Sequence, residues 1–417
     1  MGPAGRALAP DLRDTRMPPQ AQAQPQDTHS RFLLIESEGR IRRLLAGMLQ
    51  GAGAKTVHNV PSGKAGQEVL LSQPVDVVVC DWSAPDLSGA EFLRSVRNLP
   101  VTKYLPFLMM SRVGQLNEEE IAATRDFDVD GHLFKPITQE DLQAKVRGAV
   151  DHYNSMAKAY THLARAAAFV DIQELDEARK EINAAQLAGG ESARVWAEAG
   201  NLLTVIDSPA EAKQCYRRSI EIDRTYARAY DKLGAILEEE GDSETAVKFL
   251  TASSQISPRN KERQFALAKA MLARGDEEGA RLAIHRGVEA EGEVTPQSAV
   301  SAAAAEVLMT LGRADLAEKE YAFALEGDPA NVHYFNRLGI AFRRQKKYKE
   351  AVENYRKALQ VVSNDPVLYY NLAIALAESG QLAPAVGTLR RALVLDPGFE
   401  AAADLLRRIE KRVRESS

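Results

Sequence analysis

The strongest structural signal in the chain is the segment at residues 227–258, which reads ARAYDKLGAILEEEGDSETAVKFLTASSQISP. Apolar residues recur at helical spacing on both sides of Gly241, so the segment predicts two helices joined by a turn. A shift of 34 residues towards the N-terminus brings into the corresponding places Trp196, Gly200, Leu203, Ala212 and Tyr216. The segment is therefore one unit of an internal repeat.

Seven such units follow one another, and an insertion of three residues around Gly292–Thr295 resets the phase of the last three. They begin near residues 159, 193, 227, 261, 298, 332 and 366. The pattern resembles the tetratricopeptide repeat (TPR) family, in which small residues let two helices approach and Pro ends the second helix. The resemblance implies an all-α TPR superhelix over residues 153–399. Residues 400–417 are charged and amphipathic, and they predict a helix that caps the array.

Residues 31–152 follow a different pattern, in which short apolar runs alternate with amphipathic segments. Predicted strands lie at Phe32–Ile35, Ala54–Val60, Val75–Cys80, Leu105–Met110 and His132–Phe134, and predicted helices begin at Gly39, Ser62, Ser88, Asn117 and Thr138. This alternation predicts an α/β domain with a doubly wound parallel sheet. Residues 1–30 are rich in Pro, Ala and Gln without apolar periodicity, and they predict a disordered tail.

Three segments of the α/β region resemble the receiver domain of bacterial response regulators. Residues 77–89 read VVVCDWSAPDLSG and follow that family's phosphoacceptor segment, residues 108–111 end in a serine, and residues 134–136 supply a lysine. The resemblance implies a flavodoxin-like fold in which Asp81 is the phosphoacceptor. It further implies that two residues sense the phosphoryl group, namely Ser111 and Lys135.

The chemistry of that family explains these residue types. A carboxylate is the nucleophile that forms an acyl phosphate, and a hard cation such as Mg²⁺ is held by oxygen ligands. The resemblance implies Mg²⁺ ligands at Glu36, Asp81 and Ser83, and a histidine kinase as the phosphodonor. It also places His132 at the switch position three residues before the lysine. The alternative for His132 is a surface residue on the last strand.

The most serious departure from the receiver pattern lies directly after the first predicted strand. Where receivers have two adjacent acids after the first strand, this sequence reads Ile35-Glu36-Ser37-Glu38. Ser37 is neutral and binds Mg²⁺ more weakly than a carboxylate does, while Glu38 is expected to point elsewhere unless a local shift recruits it. Two interpretations stay open: Asp81 is phosphorylated, or the domain is a degenerate receiver that serves for docking. In the second, Ser111 and Lys135 have structural roles.

The two domains are predicted to share a helix. The sequence contains no proline from Gln139 to Asp171, and apolar residues recur there at close to helical spacing. We therefore expect the last receiver helix to run into the first TPR helix, with at most a bend near Gly148. The alternative is two independent domains with a break near Asn154.

The TPR resemblance implies a concave face, lined by the first helix of each unit, that binds a partner protein or peptide. The candidates by repeat position are Asn336, Arg343, Tyr370 and Asn371. The basic segment Phe342–Lys357 fits an acidic protein. For each of these residues the alternative is a solvated helix face.

The composition argues against several classes of protein. A net charge of −5 over 417 residues argues against a general nucleic-acid binder. No apolar run is long enough to span a membrane, and Cys80 and Cys215 are too far apart in the sequence to suggest a disulfide scaffold or a thiolate metal site. The sequence contains no nucleophile–base pair or phosphate-cradling glycine loop of an enzyme. We expect a cytoplasmic bacterial protein.

Two functions remain after these exclusions. In the first, the chain is a signal-transduction adaptor whose receiver-like domain regulates or positions a TPR scaffold that binds partner proteins. In the second, it is a phosphorylation-competent response regulator of a two-component phosphorelay. Because receivers often pair through their last strand and helices, a homodimer is a further expectation.

Overall fold

The fold is described from a computed structural model, which covers residues 31–114, 126–290 and 296–415. The predicted disordered tail and the predicted helix that begins at Asn117 fall outside these ranges. The described chain divides into two compact units, of which the first ends at Pro258 and the second begins at Arg259. The domain limits expected from the sequence stay predictions.

The α/β region contains a parallel sheet with the strand order β2-β1-β3-β4-β5 in its described part. Its strands are β1 (Arg31–Ile35), β2 (Thr56–Val60), β3 (Val77–Asp81), β4 (Phe107–Arg112) and β5 (Gly131–Lys135). The predicted doubly wound sheet is confirmed, with strand ends displaced by up to two residues. Such displacements are expected because apolar runs do not stop where ladder hydrogen bonds stop.

Helices cover both faces of this sheet because each strand alternates its side chains. One core joins Phe32 and Leu34 of β1 to α1 (Gly39–Gly51) and to the first part of a long helix. The opposite core joins their neighbours Leu33 and Ile35 to α3 (Gly89–Asn98). Helix α2 (Gly63–Ser72) packs near β1 and β2 on the same side as α3.

The long helix α4 (Gln139–Asp171) joins the α/β region to the repeats without interruption. Its N-terminus is capped by Thr138, whose Oγ1 accepts from the amide of Asp141 at 3.1 Å. Leu142 and Val146 are buried against the sheet. In its last part, where α4 packs on the next helix, the buried residues include Leu163, Ala166 and Val170. The predicted continuous helix is confirmed.

After α4 the described chain consists of helical hairpins. In the first compact unit, α4 pairs with α5 (Leu175–Ala188). Two further hairpins follow there: α6 (Ala193–Val205) with α7 (Pro209–Ile222), and α8 (Ala227–Glu239) with α9 (Ser243–Ile256). The predicted repeat starts at residues 193 and 227 coincide with the first residues of α6 and α8.

The second compact unit continues the same pattern. Its hairpins are α10 (Lys261–Arg274) with α11 (Glu277–Glu289), α12 (Gln297–Thr310) with α13 (Ala314–Gly327), α14 (Val332–Arg344) with α15 (Tyr348–Val361), and α16 (Pro366–Glu378) with α17 (Leu382–Leu395). Helix α18 (Glu400–Glu415) packs on α17, as predicted for a capping helix. None of the helices in the described ranges is long and apolar enough to cross a membrane.

Small residues explain why the two helices of a hairpin pack closely. At one equivalent position of every second helix stands an alanine that is completely buried: Ala178, Ala212, Ala246, Ala280, Ala317, Ala351 and Ala385. A larger side chain there would push the first helix of the hairpin away. The need for a small residue where the two helices approach therefore recurs once in every repeat unit.

Candidate functional site

The predicted phosphoacceptor site lies at the carboxyl end of the sheet. Asp81 is the last residue of β3, Glu36 follows β1 directly, and Lys135 is the last residue of β5. Strand β1 has β2 on one side and β3 on the other. Because the chain order reverses there, this edge is where ligands bind in open α/β sheets.

Lys135 connects the two carboxylates of the site. Its Nζ donates to Glu36 Oε2 at 2.5 Å and also to Asp81 Oδ2. Glu36 and Asp81 are 1% and 6% exposed, so their charges are largely removed from water. Burial alone lowers the pKa of Lys135, but the hydrogen bonds that its Nζ donates to Asp81 and Glu36 outweigh the effect of burial and raise that pKa. The lysine therefore carries a charge that neutralises one of the two acids.

The turn after β3 holds Asp81 in place. The amide of Ser83 donates to Asp81 Oδ1 at 2.8 Å, and the amide of Gly89 donates to the Trp82 carbonyl at 2.9 Å. A Cβ at Gly89 would lie only 2.6 Å from the Asp81 carbonyl oxygen. The glycine of the phosphoacceptor segment is thus required by the close approach of α3 to this turn.

Ser111 contributes a buried hydroxyl to this end of the sheet. It lies in β4, next to the end of β3, and it is 1% exposed. Within the described residues its Oγ has no hydrogen-bond partner. A buried hydroxyl without a partner is costly, so such groups call for an explanation in function or in bound ligands.

Two of the charged residues at the mouth of the site, Glu38 and Arg112, were not among the site residues predicted from the sequence. A cavity of about 300 Å³ is bordered by Glu36, Ser37, Glu38, Asp81, Ser83 and Arg112. Glu38 does not point away: its Oε1 accepts from Arg112 Nη2 at 2.9 Å, and its amide donates to Glu36 Oε1 at 2.9 Å. The signal for Arg112 in the sequence was its position directly after Ser111 at a strand end.

The donor set fits a Mg²⁺ ion with few protein ligands. Glu36 and Asp81 approach the same lysine, and Mg²⁺ commonly uses one or two carboxylates together with water and phosphoryl oxygens. Ser37 lies at the border of the same cavity with a hydroxyl where receivers have a carboxylate. Within the described ranges, no group of three or more His, Cys, Asp or Glu residues is arranged to hold a metal. Ligation by Glu36, Asp81 and Ser83 stays a prediction.

His132 lies on β5 and does not border the cavity. Its ring stacks near Phe134, with 6.3 Å between the centroids. Since alternate residues of a strand face opposite ways, His132 and Lys135 are on opposite faces of β5. The switch role of His132 stays a prediction.

The partner-binding candidates lie together in the second unit, where they contact one another or their neighbours. Asn371 Nδ2 donates to Asn336 Oδ1 at 2.8 Å, so two consecutive hairpins contribute to one polar pair. Arg343 forms a bidentate ion pair with Glu378, at 2.8 and 2.9 Å. Tyr370 packs against Phe399, with 5.1 Å between the ring centroids. Their role in partner binding is untested.

The basic segment Phe342–Lys357 is partly neutralised within the chain. Besides Arg343, Arg344 donates to the Met309 carbonyl and Lys347 pairs with Glu318 at 2.6 Å. Four exposed basic residues of the segment remain on its surface: Lys346, Lys349, Arg356 and Lys357.

Comparison with known proteins supports the description of both the α/β region and the helical hairpins. Residues 32–147 match the response regulator receiver domain family. Residues 193–226 and 227–260 match the tetratricopeptide repeat, and residues 341–380 match a further TPR repeat model. The predicted combination of a receiver domain with TPR repeats is confirmed.

Two curated relatives each match less than a third of the chain. Chemotaxis protein CheY of Pseudomonas aeruginosa is 26% identical over 124 residues, which are 30% of this chain and 98% of that protein. CheY-3 of Vibrio cholerae is 26% identical over 116 residues, which are 28% of this chain and 88% of that protein. Both relatives point to two-component signalling in bacteria.

Two solved structures are each similar to part of the chain. A putative response regulator from Chloroflexus aurantiacus is 27% identical, has a TM-score of 0.27 and covers 29% of this chain and 98% of its own. A tetratricopeptide repeat protein from Parabacteroides merdae is 14% identical, has a TM-score of 0.35 and covers 61% of this chain and 99% of its own.

Proposed function

Since this chain joins a response regulator receiver domain to TPR repeats, we propose that it is a signal-transduction adaptor. The receiver domain positions or regulates the TPR scaffold, and the scaffold binds a partner protein. The observation that carries this proposal is the uninterrupted helix α4, whose first part is buried in the receiver core and whose last part belongs to the first hairpin. A stiff joint of this kind transmits orientation, whereas a flexible tether does not.

The proposed partner surface is the polar face of α14 and α16. Asn336 and Asn371 present amide groups that both donate and accept, as a peptide backbone requires. Tyr370 contributes an aromatic face beside them, and such residues often carry much of the binding energy of an interface. Arg343 is held by Glu378, so it offers a partner carboxylate only after that ion pair opens.

Affinity capture with the full-length chain tests the adaptor proposal. The parent protein and the variant Asn336→Ala/Asn371→Ala are used as bait in the same bacterial lysate, with Arg391→Ala, at an exposed position of α17, as a matched surface control. We expect at least one protein that the parent and the Arg391→Ala bait retain and that the double variant loses about tenfold. The adaptor proposal is wrong if the parent and the double variant retain the same proteins in equal amounts.

The buried Ser111 hydroxyl, which has no hydrogen-bond partner among the described residues, favours a second function. In it, the receiver accepts a phosphoryl group from a histidine kinase. An oxygen of Asp81 forms a bond to phosphorus while the bond between phosphorus and the donor nitrogen breaks, and the donor leaves with the electron pair. Lys135 and the hydroxyl of Ser111 then donate to phosphoryl oxygens. Glu36 and Asp81 would hold a Mg²⁺ ion at this site, and the bound ion would neutralise part of the phosphoryl charge.

A small phosphodonor distinguishes the two functions. The full-length chain is incubated with acetyl phosphate and Mg²⁺, and the mass of the intact protein is measured beside that of Asp81→Asn. Phosphorylation predicts a phosphoryl adduct on the parent and none on Asp81→Asn. If the parent also stays unmodified at high Mg²⁺, the domain serves for docking alone and the phosphorelay function is wrong.

A further inference from the structure

Three residues at equivalent positions of three consecutive units contact the receiver domain. These are Tyr160, Arg194 and Arg228, each the second residue of its unit and spaced by 34 residues. On the receiver side they meet two short segments that precede β4 and β5. Those segments lie at the amino end of the sheet, whereas Asp81 lies at the carboxyl end. This contact therefore leaves the acidic cavity uncovered.

Asp128 is the centre of the contact. Its Oδ2 accepts from Arg228 Nη1 at 2.5 Å and lies 3.3 Å from Arg194 Nε, and its Oδ1 accepts from the hydroxyl of Tyr226 at 2.9 Å. The side chain of Asp128 is only 6% exposed. A carboxylate so deeply buried is tolerated because two arginines and a hydroxyl compensate it.

Two neighbouring contacts extend the attachment. Lys103 Nζ donates to Glu198 Oε2 at 2.6 Å, and Glu198 also accepts from Arg228 at 3.3 Å. The ring of Tyr104 stacks on Tyr160, with 4.4 Å between centroids and 8° between planes. The contact thus combines buried ion pairs with aromatic stacking, as specific protein interfaces do.

The segment that carries Asp128 is an acidic loop, Asp126-Phe127-Asp128-Val129-Asp130. Its first aspartate accepts from the hydroxyl of Ser257 at 2.9 Å. Its last aspartate is held inside the receiver by Arg97 at 3.0 Å, and Arg97 also donates to the carbonyl of Asp128 at 2.7 Å. Arg97 fixes the backbone so that Asp128 projects towards the hairpins.

We propose that the loop Asp126–Asp130 is an intramolecular acidic ligand of the first three hairpins. It occupies, in those units, the first-helix surface that the later hairpins offer to an external partner. The first three hairpins therefore form a self-occupied part of the array, which recognises an acidic segment of its own chain. This inference requires no chemistry at Asp81.

Hydrogen exchange of the full-length chain tests whether the loop is held. The variants are Asp128→Asn, which removes one charge at the centre, and Arg224→Gln, an exposed arginine close to the same helix that serves as control. We expect the amides of residues 126–130 and of the first turns of α6 and α8 to exchange at least tenfold faster in Asp128→Asn, with no change in Arg224→Gln. Unchanged exchange in Asp128→Asn would overturn the proposal.

A peptide added in trans tests whether the loop acts as a ligand. The probe is a fluorescent peptide with the sequence RDFDVDGH, and the proteins are the parent, Asp128→Lys and Asp128→Lys/Arg228→Gln. Lysine at position 128 repels Arg194 and Arg228 and so opens the surface. We expect the peptide to bind Asp128→Lys at least tenfold tighter than the parent, and the double variant to bind no better than the parent. Circular dichroism establishes folding, and Asp128→Asn replaces Asp128→Lys if the latter unfolds. Equal affinity for the parent and the opened variant contradicts the proposal, because the surface would then never have been occupied.

Discussion

Arg194 and Arg228, which are separated by one repeat length of 34 residues, both approach a single carboxylate oxygen, Oδ2 of Asp128, at 3.3 and 2.5 Å. Two equivalent positions of consecutive units thus converge on one acid of the receiver. A repeat array places equivalent side chains at regular intervals along one face, so one well-placed acid contacts two of them. The receiver is therefore attached through side chains that recur at the same position of consecutive repeats.

The attachment is expected to weaken in acid. Burial alone raises the pKa of Asp128 and of Glu198, but arginines and Lys103 outweigh it, and both folded-state pKa values are lowered. A carboxyl group with a lowered folded pKa stabilises the fold above its unfolded pKa, about 3.9 for Asp and about 4.3 for Glu, and this stabilisation is lost as the pH falls through the folded pKa. Urea unfolding of the parent and of Asp128→Asn at pH 6 and pH 3 measures the effect.

The difference in unfolding free energy between parent and Asp128→Asn should shrink at pH 3, by on the order of 1 kcal/mol. Glu239→Gln, an exposed acid on α8, is the matched control and should show little change in that difference. A difference that is the same at both pH values would show that Asp128 is not selectively stabilised in its charged form.

Lys135→Ala should destabilise the receiver domain. The change leaves Glu36 and Asp81 buried side by side without the cation that both contact, and removing one member of a buried ion pair costs about 3 kcal/mol. Urea unfolding followed by the fluorescence of Trp82, which is adjacent to Asp81, measures this. The double variant Lys135→Ala/Asp81→Asn should recover part of the loss because one of the two charges is gone. A larger loss in the double variant would contradict this account.

Ser37→Asp should strengthen Mg²⁺ binding at the acidic cavity. Ser37 lies at the border of that cavity, and a third carboxylate adds both a ligand and a negative charge for a hard cation. We expect at least tenfold tighter Mg²⁺ binding, measured by titration of Trp82 fluorescence, with Ser37→Asn as the uncharged control. Equal Mg²⁺ affinity in parent and Ser37→Asp would mean that the aspartate does not reach the metal position.

Replacement of two helical glycines by alanine should change the free energy of unfolding in opposite directions. A Cβ at Gly200 would lie 2.7 Å from Cε1 of Tyr216, a residue that is almost completely buried, and such overpacking costs about 1–3 kcal/mol. A Cβ at Gly148 meets no atom within 4 Å, so Gly148→Ala should stabilise α4 by up to about 1 kcal/mol. Urea unfolding of both variants checks the signs. Stabilisation by Gly200→Ala would show that the hairpin is not closely packed there.

The sequence predicted the repeats well because their signals are local. The starts at residues 193 and 227, the cap at residues 400–415 and the continuous helix through Gly148 all follow from periodicity within a few turns of helix. The acidic cavity was also foreseeable, since Glu36, Asp81, Ser111 and Lys135 lie at or beside the carboxyl ends of parallel strands, which meet at one edge of the sheet.

Side-chain contacts between residues that are remote in the sequence could not be predicted from the spacing of apolar residues. Glu38 was expected to point away, but its backbone is held by Glu36 and its side chain by Arg112, which follows it by 74 residues. The ion pair of Arg343 with Glu378 likewise depends on the distance between two hairpins. Side-chain direction at a helix start or a strand end is decided by neighbours that are remote in sequence.

The amino-acid sequence alone determined the two folds, the order in which they follow and the helix that joins them, because each of these depends on apolar spacing and on the identity of small residues. The tertiary structure alone decided that Asp128 meets Arg194 and Arg228, and hence how the receiver sits on the first hairpins. The physical reason is that a buried ion pair requires three-dimensional convergence of charges from segments 66 and 100 residues apart, and no periodic signal records such a convergence.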